Sequence, residues 1–266
     1  GHAKAILEHL GGEGVYVGID ADKVAIKEAE ALKTSKATVH LINDNFTNIG
    51  EIVRQLKLQP TAILADLGWR SDQFEAGGKG FSFQSDEPLL MTYGEPEKYP
   101  FTASDIVNAW EESSIADIIY GYGEERRARR IAKAIVEARQ TKPIRTAKEL
   151  AEIVAVAVSH HTRYSRIHPA TKTFQALRIA VNNELESLKK LLEDGFTCLV
   201  PEGRMAVISF HSLEDRIVKT FFKNLIGEGF ALRQTKKPQI ASDEELQNNP
   251  RARSAKLRVI EKTFTE

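Results

Sequence analysis

Three positions that could do chemistry stand at the ends of apolar runs. Asp20 closes Gly14-Val-Tyr-Val-Gly-Ile-Asp20, Asp66 closes Thr61-Ala-Ile-Leu-Ala-Asp66, and Phe46 follows Thr38-Val-His-Leu-Ile42 and Asn43-Asp-Asn. A carboxylate at a strand end can accept both hydroxyls of a ribose, although a plain strand-terminal aspartate is at least as common. Gly1-His2 precedes the helical run that begins at Ala3, where backbone N–H groups would face a ligand. His211, in Ser209-Phe-His-Ser212, reads equally as a proton shuttle and as a packed histidine ahead of a helix. The single cysteine, Cys198, lies in Phe196-Thr-Cys-Leu-Val200 and reads as a structural thiol. There is no disulfide framework, no cysteine-based metal site and no metal-ligand cluster.

The elements that must position these residues alternate. Helical periodicity over Ala3–Leu10, Lys23–Leu32 and Ile49–Leu56 is interleaved with the three apolar runs. Such alternation implies βαβ units and a doubly wound parallel sheet, with ligands held at the carboxyl ends of the strands. The rhythm stops after residue 66. Pro88 to Pro100 carries turn signals, and helices are expected over Ser104–Trp110, Ser114–Tyr120, Gly123–Arg139 and Ala147–Val158, with Thr146 and Glu149 as a capping box. The sheet resumes after a polar loop at His168 and one long helix through Leu185. A strand over Gly203–Phe210, a helix over His211–Phe222 and a last strand ending near Ile260 complete it. The expected division is a sheet domain over residues 1–100 and 168–266, with a helical insertion over 101–167.

Composition is that of an ordinary globular protein, 42% apolar and 28% charged. No apolar run approaches the roughly 20 residues that span a bilayer, and the start lacks a signal-peptide layout. With the lone cysteine, this points to a reducing, cytoplasmic setting. The net charge of zero argues against a uniformly basic nucleic-acid binder but hides an asymmetry. Gly123 to Arg178 holds 13 Lys and Arg against 5 Asp and Glu, whereas Glu75 to Asp117 holds 9 acids and 2 bases. A cationic segment of that kind attracts a polyanion. A helix laced with internal ion pairs reads equally well.

The wording of several segments is more specific. His168-Pro-Ala-Thr-Lys-Thr-Phe-Gln-Ala-Leu-Arg-Ile-Ala-Val-Asn182 resembles a signature of the MraW-type bacterial small-subunit (16S) rRNA cytosine-N4 methyltransferases. So do Gly1-His2 with Ala5-Ile-Leu7, Ile19-Asp-Ala-Asp22, Asn45-Phe46, Asp66-Leu-Gly68, Gly80-Phe-Ser-Phe83 and Tyr122-Gly-Glu-Glu125. Ile208-Ser-Phe-His-Ser-Leu-Glu-Asp-Arg216 and Asn249-Pro-Arg-Ala-Arg-Ser-Ala-Lys-Leu-Arg258 extend the likeness nearly end to end.

The resemblance implies an α/β, Rossmann-like S-adenosylmethionine (SAM)-dependent methyltransferase sheet with an inserted helical RNA-recognition subdomain. It implies that Gly1 and His2 sit in the SAM loop, that Asp20 holds the ribose and that Phe46 covers the adenine. Asp66 and Gln73 would lie by the methionine part. Methyl transfer to a cytosine amine needs acceptors that orient the amine and take its proton. Asp66 leads, with Ser71 and His211 second. RNA contacts fall to Arg126, Arg127, Arg129, Arg130, Arg163, Arg166 and Lys172, with Arg178 on a polar cleft-lining face. Arg251, Arg253, Lys256 and Arg258 form a further patch. The expected partner is 16S rRNA or the small subunit, with no membrane; monomer and homodimer both stand. An rRNA-binding assembly factor with weak or lost turnover is the alternative.

Two departures from the family pattern stand out. Family members carry a helix and a first strand with Asp-x-Thr-x-Gly-x-Gly ahead of Gly-His, and this sequence starts after them; a sheet without that strand exposes two edges. Locally, at Trp69-Arg70 and Leu90-Met-Thr-Tyr-Gly94 the sequence lacks one serine and two loop acids of the family pattern.

Overall fold

The computed structural model describes residues 1–34, 36–68, 78–84, 86–158 and 168–264. Elements run α1 (His2–Leu10), β1 (Val15–Asp20), α2 (Lys23–Ala29), β2 (Thr38–Asn43), α3 (Ile49–Gln55) and β3 (Ala62–Asp66). Five helices follow: α4 (Ala103–Ala109), α5 (Glu112–Gly123), α6 (Ala128–Thr141), α7 (Ala147–Val158) and α8 (Thr171–Asn182). Then come α9 (Glu184–Cys198), β4 (Arg204–Ser209), α10 (Ser212–Gly227), β5 (Ala231–Arg233), α11 (Asp243–Asn248) and β6 (Lys256–Lys262). The chain folds as two compact units, Gly1–Leu67 with Glu186–Glu266, and Gly68–Leu185.

In the first unit, β-branched and aromatic runs make the strands, as their propensity requires. The parallel sheet expected from βαβ alternation is present in two pieces. β1 and β2 pair in parallel from Val15↔Thr38 to Asp20↔Asn43. The second sheet has the order β3-β4-β6-β5. There β3 and β4 are parallel, and β6 is antiparallel to both β4 and β5. Among the described residues the outer edges of β1 and β3 carry no ladder, and Val15 and Leu64 on them are exposed. Leu188, Leu191 and Leu192 of α9 and Val218 and Phe222 of α10 pack with Met205, Val207 and Ile260 to form the core. The end of α9 is held by Lys262, whose Nζ donates to the carbonyls of Phe196, Thr197 and Leu199 at 3.1, 3.0 and 2.8 Å. These are the acceptors a helix end leaves unpaired.

The second unit is helical. Ile115 and Ile119 of α5, Ile131 and Ile135 of α6, Leu150 of α7 and Leu177 of α8 have no exposed surface. Burial of each such side chain contributes about 1.5–3 kcal/mol. Two helices come into close backbone contact at Gly123, where a Cβ would lie 2.6 Å from the Lys172 carbonyl oxygen; only glycine lets α5 and α8 meet there. Asn108 ties α4 to the α6–α7 turn by accepting from Ile144 N–H and donating to its carbonyl, both at 2.8 Å.

The boundaries differ from the sequence expectation in three places. Residues 78–100 and 168–185 pack with the helices, so the helical unit reaches well beyond 101–167. Glu124 is left-handed (φ 48), which ends α5 and delays α6 to Ala128. Asn183 is also left-handed (φ 49), which splits the expected long helix into α8 and α9. No helix among the described residues is long and apolar enough to cross a membrane.

Candidate active site

β1, β2 and β3 deliver Asp20, Phe46 and Asp66 at or just past their C-terminal ends, where parallel strands point their chemistry. The Asp20 carboxylate accepts the Asp22 N–H at 2.8 Å, while its carbonyl takes the Asn43 amide at 3.0 Å and the Asp44 N–H at 3.1 Å. Asp22 in turn caps α2 through Val24 N–H. The strand end is therefore built around Asp20. Phe46 opens a one-turn helix capped by Asn45 and keeps 36% of its surface exposed, which excludes a plain core role.

Asp66 ends β3 beside Ile208 of β4, and the next residue, Leu67, bonds the Ile208 carbonyl. His2, the first residue of α1, puts its Nδ1 3.2 Å from Asp66 Oδ2. Both side chains are about half exposed. Burial pushes the Asp66 carboxyl above its ordinary value, and the charge and hydrogen bond of His2 pull it part of the way back. The pair brings the N-terminus of α1 to the C-terminal end of β3. Between α1 and that edge runs a groove of about 400 Å³ lined by Ala5, Ile6, His9, Leu10 and Leu64 as well as His2.

His211 lies at the start of α10. It caps α10: its Nδ1 accepts the Glu214 N–H at 3.4 Å, and Glu214 Oε2 accepts the N–H groups of Phe210 and His211. Its buried Nε2 faces Glu214 Oε1 at 3.3 Å without completing a hydrogen bond. This is a capping box with histidine in the serine position. Ser71 and Gln73 lie outside the described residues, as do Arg163 and Arg166.

The cations separate into two groups. Arg126, Arg129, Arg130 and Lys133 are exposed around the start of α6, and Arg127 is half-buried beside them. The first turn of that helix holds no acid to offset them. Lys172 is half-exposed and donates to the Glu124 carbonyl at 2.9 Å, 3.9 Å from Glu125. Arg178, expected on an RNA-facing surface, is instead buried, and its fork grips Glu184 through two bonds of 2.8 and 2.9 Å. Tyr93 donates its hydroxyl to the same carboxylate, and Asn182 bonds the backbone of Met91 and Tyr93. The cause is the helix break: Asn183 turns the chain so that Glu184 folds back on Arg178. Of the later patch, Lys256 and Arg258 are bound by Asp215 at 3.0 and 2.8 Å. Burial raises the Asp215 carboxyl, but those two cations outweigh it and hold it below its ordinary value.

A model of the MraW methylase family matches residues 1–263. The chain belongs to that family. Among its relatives, each named ribosomal RNA small subunit methyltransferase H, the protein of Coprothermobacter proteolyticus is 47% identical over 94% of this chain and 82% of its own length. That of Clostridioides difficile is 40% identical over 98% of this chain and 89% of its own. That of Koribacter versatilis is 44% identical over 97% and 83%. Membership in the MraW family makes the chain a methylase and agrees with its mixed α/β unit. Sequence reasoning missed the His2–Asp66 pair and the Tyr93–Glu184–Arg178 network. No short-range pattern signals either: His2 and Asp66 are distant in the chain, as are Tyr93 and Glu184, and the Arg178–Glu184 pair depends on the left-handed turn at Asn183.

Proposed function

We propose that this chain methylates the exocyclic N4 amine of a cytidine in the decoding region of small-subunit rRNA, with SAM as donor. The observation that carries the reading is the Asp66–His2 pair at the end of β3, in a methylase whose relatives are named for small-subunit ribosomal RNA. The donor set fits SAM. A strand-end carboxylate, an exposed aromatic and a helix start suit a ribose, an adenine face and a charged amino-acid end.

When bound, SAM supplies an electrophilic methyl group. Asp20 would take the ribose hydroxyls, Phe46 would cover the adenine, and Gly1 and His2 would present the helix start. The amine of cytosine is a weak nucleophile because its lone pair is shared with the ring. Asp66 orients that amine and accepts its proton as nitrogen attacks, a task helped by a carboxyl raised by burial. His2 keeps that carboxylate aimed and ionised. The target base has to leave its stack, and the cations around the start of α6, Arg126, Arg127, Arg129 and Arg130, hold phosphates of the RNA.

Incubation of the chain with SAM and unmodified rRNA, free or in small subunits, tests this by mass spectrometry for N4-methylcytidine. Product is the expected result. Absence of both product and calorimetric SAM binding overturns the reading and leaves an rRNA-binding assembly role.

A further inference from the structure

Three aromatic rings in the helical unit form a ladder from core to surface. Phe174 of α8 is buried, Phe83 is half-buried, and His168 is exposed. Phe83 meets Phe174 edge-on, with centroids 5.6 Å apart at 86°, and stacks flat on His168, with centroids 4.3 Å apart at 14°. The imidazole is also fixed about its own axis, because Nδ1 accepts the Ala170 N–H at 3.2 Å just ahead of α8.

The strand of chain that carries Phe83 is itself held. Gly80 is left-handed (φ 73), and a Cβ there would lie 2.5 Å from the Pro88 carbonyl oxygen. Phe81 is buried and stacks on Tyr93 at 5.8 Å. The Ser82 hydroxyl accepts the Gln84 N–H.

An exposed side chain ordinarily keeps its rotamer freedom, and flattening one against a neighbour at the surface contributes little to stability. Here an imidazole is flattened, oriented and backed by two further rings, and among the described residues no ring covers its outward face. A π-surface presented that way matches the device by which proteins hold unpaired bases of single-stranded RNA. Its surroundings suit the same partner. Lys172, the second residue of α8, is half exposed, and Arg126 and Arg127 follow directly on Glu125, whose carboxylate lies 3.9 Å from the Lys172 ammonium.

We propose that the outward face of His168 is a stacking platform for an unpaired nucleobase of the RNA substrate, with Phe83 and Phe174 as its rigid backing. The site takes a base of any identity, since every base has a π-face. This rests on the RNA-methylation reading above, and it places a base-holding position in the helical unit. The competing account is a latch that merely pins residues 80–83 to α8.

The test is the affinity of the chain for a single-stranded oligonucleotide spanning the rRNA target, with an abasic residue walked along it. His168→Ala, His168→Phe and His168→Trp are compared with the parent, alongside thermal midpoints. The platform predicts that one abasic position weakens the parent by roughly 5- to 150-fold, the range for one stacked base. His168→Ala should lose the same factor on intact RNA and nothing further on that abasic strand. His168→Phe and His168→Trp should restore intact-RNA affinity, and pyrrolocytidine placed at that position should be quenched by the parent and not by His168→Ala. Unchanged affinity in His168→Ala, or equal losses on intact and abasic RNA with a lowered midpoint, would overturn the platform in favour of the latch. Stacking without methylation would sink the proposed reaction and leave the platform. Methylation with no stacking signal would do the reverse.

Discussion

Asp66 and Asp215 are the same residue type in the same unit, both at the ends of elements in the β3–β4–β6 region, and their environments push them opposite ways. Among the described residues Asp66 pairs with a half-exposed histidine, and burial leaves its carboxyl raised. Asp215 has two cations on β6 and is lowered. The arginines repeat the contrast in the helical unit, where Arg178 is buried against Glu184 while Arg129 and Arg130 stand in solvent without an ion pair among the described residues. A charge whose partners are saturated holds structure. A charge left partly unsatisfied is available for chemistry or for RNA.

The contrast breaks most visibly through Asp66. Asp66→Asn should slow methylation by about 10²–10⁴-fold, the usual worth of a positioned proton acceptor, with little change in urea midpoint. Next in size, Arg178→Gln should destabilise the fold by about 2–4 kcal/mol, because Glu184 and the Tyr93 hydroxyl stay buried without the guanidinium. Asp215→Asn should cost somewhat less, since Lys256 retains water. Chemical denaturation measures both, and RNA affinity of the folded fraction should hold.

A smaller effect is expected from Arg129→Gln with Arg130→Gln. Affinity for RNA should fall and the salt dependence should flatten by about 0.7 in slope for each phosphate no longer neutralised, with stability unchanged. Smallest is His2→Ala. Activity requires ionised Asp66, so the rate falls as pH drops through its pKa. Removal of His2 takes away two influences that lower that pKa. The acidic limb of the pH–rate profile should therefore move to higher pH, and His2→Asn, which keeps a donor near Nδ1, should move it less.

Much of this was legible in the chain. The alternation of apolar runs and helical periodicity located β1, β2, β3 and β4, and the strand-end residues Asp20, Phe46 and Asp66 followed from it. The breaks at Glu124 and Asn183 were not legible, because left-handed turns there fall on residues other than glycine. Without the second break, Arg178 reads as part of a polar helix face; with it, Glu184 folds back and buries it. β5 and α11 are too short to carry a periodic signal. The antiparallel β6 end of the sheet arises from pairing distant in sequence, which no local pattern reports.

The central claim is that Asp66 takes the proton during methyl transfer, and single-turnover methylation of small-subunit rRNA by the parent and Asp66→Asn tests it most directly when RNA affinity is measured beside it. The account predicts N4-methylcytidine from the parent, a rate at least about 100-fold lower from Asp66→Asn, and equal RNA affinity for the two. Methylation by Asp66→Asn at the parent rate, or its failure to bind RNA, would contradict it.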